Sequence, residues 1–231
     1  MDIRIGSLIE GAQAARGVAI VIDVFRAFTT AAVAFDKGVE KIILVASPQE
    51  ALDLRRQGKG QLCMGEVNGI RPEGFDFGNS PYELSQVHSL AGQTLIQSTQ
   101  AGTVGVSAAT QADAIYLGSF VMASAIVKAV HAANPPLVTI VAMGARTANR
   151  SDEDEQCALY LRNRLQGRYP DPDAVRQLVL TGQESLKYDD PALPQYHPQD
   201  REMALQIDQY DFALRVTREE GLLVARRCLG R

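Results

Sequence analysis

Short apolar segments recur along the chain and alternate with segments of helical character. The apolar segments are rich in β-branched residues and are too short for helices of ordinary length. They are Val18–Val24, Lys41–Ala46, Leu62–Gly65, Thr94–Gln97, Ala114–Leu117 and Leu137–Met143. Unbroken apolarity over so few residues is typical of strands that are buried on both faces of a sheet.

Helix-start signals follow most of these predicted strands. Residues 47–50 and 80–83 each offer a capping serine, a proline for the first turn and a glutamate that closes a capping box. Two longer helices are predicted over Phe120–Ala132 and Asp152–Leu165. Strands that alternate with helices predict an α/β fold, a layered α/β/α sandwich with a largely parallel or mixed sheet.

The pattern changes after Gly167. Prolines break it at 170 and 172, and Lys187–Gln199 is rich in Pro, Asp and Tyr. We predict helical stretches at Pro172–Thr181 and Asp200–Leu214 and a last strand at Leu222–Arg226. Residues 1–166 are therefore predicted to form the main α/β domain with the site motifs. Residues 167–231 are predicted to form a smaller C-terminal lobe or cap, inside the same domain or beside it.

Composition narrows the classes of protein that the chain can belong to. Of its 231 residues 46% are hydrophobic and 22% charged, which excludes disorder as the main state. A net charge of -4 gives no basic footprint for nucleic acid. The three widely spaced cysteines form neither a disulfide framework nor a zinc motif. Without a signal peptide or a membrane-length apolar run, we expect a cytoplasmic protein with no membrane partner, for which a homo-oligomer remains open.

Polar residues gather where the predicted strands end. In open α/β sheets, ligands bind outside the carboxyl ends of the strands, so these residues are expected to converge on one crevice. An aspartate at the end of a buried strand, such as Asp23, needs a metal, a cation or hydrogen-bond donors. The planar fork of Arg26 suits phosphate or sulfonate. Alternatively, Asp23 caps the next helix and pairs with Arg26, and the sequence leaves both interpretations open.

Three further segments carry candidate chemistry. The glycine-rich loop 65–81 holds oxygen ligands of the kind that Mg²⁺ prefers, although it would also suit an ordered surface loop. The turn 98–105 can present backbone amides to an anion, but its small residues also suit tight packing. The acids at 152–155 favour a helix N-terminus, and an inward-facing Glu153 or Asp154 would complete a metal site.

Four motifs in this order resemble the 2-phosphosulfolactate phosphatase family: IDVFRAFTT, GEVNGIRPEGFDFGNSP, STQAGT and EDEQCA. The resemblance implies an α/β enzyme that uses Mg²⁺ to hydrolyse 2-phospho-3-sulfolactate to 3-sulfolactate in coenzyme M biosynthesis. The family commonly shows STTNGT, where this chain has Gln100 and Ala101, and Met122 stands where an asparagine is expected. These departures leave the physiological substrate open.

The resemblance also implies roles for the candidate residues. Asp23 and Arg26 are the expected catalytic residues, and either a water held by the metal or Asp23 attacks phosphorus. The small anionic phosphorylated substrate is expected to contact Arg71, Asn79, Ser98, Thr99, Gly102 and Arg146. Mg²⁺ is expected to be held by a subset of Asp23, Glu66, Asp76, Glu153 and Asp154.

Two other functions remain compatible with the sequence. One is an anion-binding module that has lost turnover. The other is a magnesium-dependent enzyme that acts on a sulfonate or carboxylate without a phosphate group.

Overall fold

A computed structural model describes residues 1–145 and 147–228, and this part of the chain contains nine strands and ten α-helices. The strands are β1 (Asp2–Ser7), β2 (Gly17–Ile22), β3 (Lys41–Val45), β4 (Leu62–Gly65), β5 (Thr94–Ser98), β6 (Ala112–Gly118), β7 (Leu137–Ala142), β8 (Ala213–Glu219) and β9 (Leu222–Cys228). The helices are α1 (Leu8–Ala14), α2 (Ala27–Asp36), α3 (Pro48–Arg56), α4 (Pro81–Ser85), α5 (Gly102–Ala108), α6 (Ala123–Ala133), α7 (Asp152–Leu165), α8 (Pro172–Leu180), α9 (Gln183–Leu186) and α10 (Pro198–Ala204). Short 3-10 turns lie at Phe120–Met122 and Lys187–Asp189.

All nine strands form one mixed sheet in the order β1-β7-β2-β6-β8-β9-β3-β5-β4. Strands β1, β7, β2 and β6 form one parallel group, and β3, β5 and β4 form another. The hairpin β8–β9 lies between the groups and pairs antiparallel with β6 on one side and β3 on the other. The predicted α/β fold with a mixed sheet is therefore confirmed.

Three antiparallel pairings separate the two parallel groups, so the groups run in opposite directions along the sheet. Their carboxyl ends nevertheless meet. This is shown by Asp23 after β2, which accepts a hydrogen bond from the amide of Gly102 after β5. Adjacent strands rotate by about 20–25°, and this twist accumulates across the intervening strands. The ends of β2 and β5, which belong to different groups, thus lie close together.

The central strands are covered on both faces. In β2, five consecutive residues from Val18 to Ile22 are buried although their side chains point alternately to opposite faces. Strand β5 is buried along its whole length in the same way. All six predicted apolar segments form strands, within one or two residues of the predicted bounds.

The predicted helix starts are also found in the structure. The Ser47 hydroxyl accepts from the Glu50 amide, and the Ser80 hydroxyl accepts from the Glu83 amide. Helix α7 has the predicted bounds Asp152–Leu165. The helix predicted from Phe120 begins with a 3-10 turn and becomes α-helical at Ala123.

The C-terminal part of the chain is divided between two places. Residues 172–204 form α8, α9 and α10, which lie outside the sheet, whereas β8 and β9 lie at its centre. The sequence prediction continued a helix as far as Leu214, but α10 ends at Ala204 and β8 begins at Ala213. The alternating exposure of β8, with Arg215 and Thr217 exposed between buried Leu214 and Val216, suits a strand.

None of the helices among residues 1–145 and 147–228 has the length and apolar character needed to cross a bilayer.

Candidate active site

A cleft opens where the carboxyl ends of both strand groups meet. The loops that follow β2, β4, β5 and β7 form one side of it, and we call them the strand-end loops. Residues 183–197, which we call the C-terminal segment, form the other side. The side chains and backbone of Asp23, Phe25, Arg26, Glu66, Asn68, Gly69, Asn79, Gln100, Ala101, Gly144, Ala145, Glu153, Asp154, Glu184, Lys187, Tyr188 and Tyr196 line the cleft.

Asp23 follows β2 directly and joins three elements. One carboxylate oxygen accepts from the Ala27 amide at 3.1 Å, at the start of α2. The other accepts from the Gly102 amide at 2.9 Å, at the start of α5. A Cβ at position 102 would lie 2.9 Å from that same carboxylate oxygen, so the approach requires glycine.

Asp154 lies in the first turn of α7 and holds two other strand ends. Its two carboxylate oxygens accept from the amides of Val24 and Gly144, both at 2.8 Å. Val24 follows β2 and Gly144 follows β7, so one buried carboxylate fixes the ends of two adjacent strands. The acidic start of α7 therefore includes a side chain that turns inward, as one of the two sequence interpretations expected.

Glu66 follows β4 and uses its carboxylate in the same way. One oxygen accepts from the Gly69 amide and the other from the Gln100 amide, both at 2.8 Å. The first contact closes the turn after β4, and the second ties it to the loop after β5. Asp23, Glu66 and Asp154 thus share one structural principle, in which a buried carboxylate organises backbone amides from separate loops.

The crowding of these carboxylates changes their acidity. Burial, and then repulsion from Asp154, raises the pKa of Asp23 well above its ordinary value. Burial and the neighbouring Glu153 likewise raise the pKa of Asp154. The amide hydrogen bonds act in the opposite direction but do not outweigh burial and repulsion. A cation in the cleft would relieve this repulsion.

Glu153 and Asn79 present oxygens without partners. Both side chains are buried, and neither Glu153 Oε2 nor Asn79 Oδ1 has a hydrogen-bond partner among the described residues. Burial raises the pKa of Glu153 to about 8. Because a buried oxygen without a partner is costly, these two oxygens are suited to hold a cation in the cleft.

Arg26 lies between the strand-end loops and the C-terminal segment. Its guanidinium donates to the carbonyl oxygens of Gly69 at 3.2 Å and Gln195 at 3.3 Å. It also lies over the Tyr196 ring, 4.5 Å from the centroid. Burial alone would lower the pKa of this guanidinium, but Tyr188 and Glu66 raise it, so Arg26 stays charged.

The backbone of Arg26 is strained. Its φ of 98° is unusual for any residue other than glycine, and it lies immediately before the first turn of α2. Such a conformation costs on the order of 1–3 kcal/mol and persists only where the surroundings enforce it. The strain directs the Arg26 side chain into the cleft beside Asp23.

The C-terminal segment contributes residues that the sequence analysis did not single out. Glu184, Lys187, Tyr188 and Tyr196 all line the cleft. Tyr188 packs edge-on against Phe25 at 5.1 Å and against Tyr196 at 5.6 Å between ring centroids. The sequence signal for the C-terminal segment was the Pro-, Asp- and Tyr-rich composition of Lys187–Gln199.

Several of the predicted site residues lie in the cleft and others do not. The structure brings together Asp23, Arg26, Glu66, Asn79, Glu153 and Asp154. Asp76 was predicted as a metal ligand, but its carboxylate is held outside the cleft by the Arg55 guanidinium and the Cys63 amide. Arg71 is exposed, donates to the Asp76 carbonyl and lies near Glu83. Arg146 lies outside the described residues.

The predicted anion-binding turn after β5 has a different role. The Gln100 and Gly102 amides donate to Glu66 and Asp23 and so are not free for an anion. The Thr99 hydroxyl accepts from the Thr103 amide and stabilises the start of α5. Ser98 is buried, and its carbonyl accepts from the Glu66 amide. Of the three residues predicted to contact substrate here, Gly102 holds the Asp23 carboxylate, whereas Ser98 and Thr99 bond within the loops.

Comparisons with known proteins identify the family. A family model described as 2-phosphosulpholactate phosphatase matches residues 4–196. Three relatives, each named a probable 2-phosphosulfolactate phosphatase, illustrate the similarity. The protein from Carboxydothermus hydrogenoformans is 43% identical over 107 residues, which are 46% of this chain and 44% of the relative. That from Clostridium acetobutylicum is 31% identical over 164 residues, 71% of this chain and 66% of the relative.

The protein from Bacillus subtilis is 33% identical over 150 residues, 64% of each chain. The matches therefore span between about half and two thirds of the length of these relatives. The family model, in contrast, covers most of the present chain and includes every strand-end loop of the cleft. The chain belongs to the 2-phosphosulpholactate phosphatase family.

Proposed function

We propose that the chain is a magnesium-dependent phosphatase that hydrolyses 2-phosphosulfolactate to 3-sulfolactate and phosphate. The observation that carries the proposal is the convergence of Asp23, Glu66 and Asp154 with Arg26 in one cleft. Family membership and the names of the relatives support the reaction and the substrate. The local chemistry supports the need for a cation.

The charge of the cleft supports a divalent cation. Among the described residues, five acidic side chains and two cationic ones line it. In their charged form these acids would repel a phosphate ester with further acidic groups, and a bound cation would both favour that form and offset the repulsion. Carboxylate and amide oxygens are the ligands that Mg²⁺ favours.

The residues that would hold Mg²⁺ are drawn from Asp23, Glu66, Glu153 and Asp154, with Asn79 Oδ1 as a neutral oxygen. Within the described ranges, no three acidic, histidine or cysteine side chains form a ready-made metal cluster. The suitability of these residues for Mg²⁺ therefore rests on their oxygen ligands and on the unpartnered oxygens of Glu153 and Asn79. When bound, Mg²⁺ would neutralise charge on the phosphoryl group.

The residues of the chain itself bind and orient the substrate. Arg26 is charged, buried and held by two carbonyl groups, so its remaining N–H groups are positioned to donate to phosphoryl oxygens. Tyr188 and Tyr196 close the side opposite the strand ends and reduce the access of water to the buried carboxylates. In the net reaction, the oxygen of a water molecule forms a bond to phosphorus and the bond between phosphorus and the ester oxygen breaks. The ester oxygen leaves with a proton from that water as the sulfolactate hydroxyl, and the phosphoryl group leaves as phosphate.

Phosphate release by purified protein tests this proposal. The assay uses 2-phosphosulfolactate with Mg²⁺ or with excess chelator. We expect release that the chelator abolishes and that added Mg²⁺ restores. Release that persists in chelator would contradict the metal requirement. No release by folded protein, together with measurable binding of the ester, would favour an anion-binding module.

A further inference from the structure

Two cationic side chains lie in the described part of the cleft lining, and both lie over the same aromatic ring. Arg26 Cζ is 4.5 Å from the centroid of Tyr196, and Lys187 Nζ is 5.9 Å from it. Arg26 comes from the strand-end loops and Lys187 from the C-terminal segment. The cleft therefore offers two cationic groups that come from different parts of the chain.

The neighbouring residue fixes the position of Lys187. Tyr188 is 3% exposed and packs edge-on against both Phe25 and Tyr196. Two such ring contacts anchor the 3-10 turn that carries Lys187 against the loop after β2. The backbone of Lys187 is thus anchored beside the cleft, which its side chain lines.

The two cations occupy different environments. Arg26 is buried beside the carboxylates of the strand ends, where the phosphoryl group would react. The Lys187 side chain is 35% exposed and pairs with Glu184, which also lines the cleft. An ion pair exposed to this degree contributes little stability, so Lys187 can exchange Glu184 for another anion.

We propose that Lys187 binds the acidic group of the substrate that is not transferred, a carboxylate or sulfonate. Lys187 adds a contact only to ligands that carry this group and so favours them, while Glu184 competes with them for the same ammonium. The pair would thereby select phosphate esters with a second acid on the carbon skeleton. The proposal rests on the proposed function for the phosphate ester and adds the residue that recognises the remainder of the molecule.

Calorimetric binding of 3-sulfolactate and of inorganic phosphate, both with Mg²⁺, tests the assignment without requiring turnover. We expect Lys187→Met to weaken 3-sulfolactate binding about tenfold, as for loss of one charge-assisted contact at a partly exposed site, and to weaken phosphate binding much less. Glu184→Gln should tighten 3-sulfolactate binding. Lys59→Met is the matched control, because Lys59 also pairs with a glutamate, Glu220, but lies outside the cleft lining.

Equal affinity of wild type and Lys187→Met for 3-sulfolactate would overturn the assignment, as would equal weakening toward both ligands. Circular dichroism checks that each variant is folded, and the opposite effect expected of Glu184→Gln provides an independent readout. Failure of the wild type to release phosphate would overturn the proposed reaction alone. Failure of the wild type to bind 3-sulfolactate would overturn the role of Lys187.

Discussion

The strand-end loops and the C-terminal segment form opposite sides of one cleft but are held in place by different forces. On the side of the strand-end loops, the carboxylates of Asp23 and Glu66, and that of Asp154 at the start of α7, each accept hydrogen bonds from two backbone amides. In the C-terminal segment, Tyr188 and Tyr196 pack ring against ring. Charge-assisted hydrogen bonds hold donor and acceptor at about 2.7–2.9 Å, whereas favourable aromatic pairs span centroid separations of about 4.5–7 Å.

This difference indicates a division of labour. The rigid side holds the groups that would act on the phosphoryl group, and the packed side holds the groups that would recognise the rest of the substrate. Arg26 joins the two, because its guanidinium donates to Gly69 on one side and to Gln195 on the other. Substitutions on the two sides should therefore affect different kinetic constants.

The largest effect is expected from Asp23→Asn. The substitution removes a negative charge from the cleft and places an amide group opposite the N–H of Ala27 or Gly102. We expect kcat for phosphate release to fall by about a thousandfold or more. Asp113→Asn, at an exposed position in β6, is the control and should retain activity. Near-normal turnover by Asp23→Asn would remove Asp23 from the catalytic residues.

Glu153 should make the metal-free protein less stable as the pH rises. The unfolded carboxyl loses its proton near its ordinary pKa of 4.5, whereas burial keeps the folded one protonated until about pH 8. Between these values the folded state holds the extra proton, so raising the pH lowers the free energy of unfolding, by on the order of a few kcal/mol. Urea unfolding in chelator from pH 5 to 8.5 measures this slope.

Glu153→Gln should flatten that dependence, and the exposed Glu10→Gln should leave it as in the wild type. Added Mg²⁺ at pH 8 should raise the stability of the wild type more than that of Glu153→Gln. If the slope is the same in Glu153→Gln and the wild type, another group is responsible for the pH dependence.

Arg26→Lys tests the residue that joins the two sides. A lysine keeps the charge but loses the planar fork that donates to two carbonyl groups. We expect kcat/KM for 2-phosphosulfolactate to fall about 10- to 100-fold, the range for loss of a hydrogen bond to a charged group. Steady-state kinetics measures this fall. Lys37→Arg, at the C-terminal end of α2, is the control and should leave kcat/KM unchanged.

Tyr188→Leu should have the smallest effect on activity. It should also distinguish most clearly between the two sides of the cleft, because it should change KM and leave kcat nearly unchanged. It removes the edge-on contacts with Phe25 and Tyr196 that anchor Lys187. We expect a several-fold rise in KM with little change in kcat, and a loss of about 1–3 kcal/mol in stability. The exposed Tyr169→Leu is the matched control. A fall in kcat as large as that of Asp23→Asn would contradict the division of labour.

The acids at 152–155 show which features of the site local sequence can predict and which it cannot. Four acids at a helix start all favour the helix dipole, so local sequence alone does not rank them. In the structure, Asp154 accepts hydrogen bonds from two strand-end amides, and Glu155 accepts one from the Ser7 hydroxyl. Which acid turns inward depends on where β2 and β7 end relative to α7, and this is a property of the packed sheet.

The sequence by itself determined the elements that depend on local physical chemistry. Unbroken apolar segments specify buried strands, as in β2 and β5, and Ser-Pro-x-Glu specifies the starts of α3 and α4. It also placed Asp23, Arg26 and Glu66 at strand ends, where an α/β sheet binds its ligands. These features need no knowledge of distant residues.

Only the tertiary structure decided how the two strand groups meet. Insertion of the β8–β9 hairpin at the sheet centre, the exclusion of Asp76 and the arrival of Lys187 and Tyr188 at the cleft all depend on contacts between residues far apart in the chain. Such contacts follow from the twist of the whole sheet and from the shape of the packed surfaces. No local pattern of hydrophobic and polar residues encodes them.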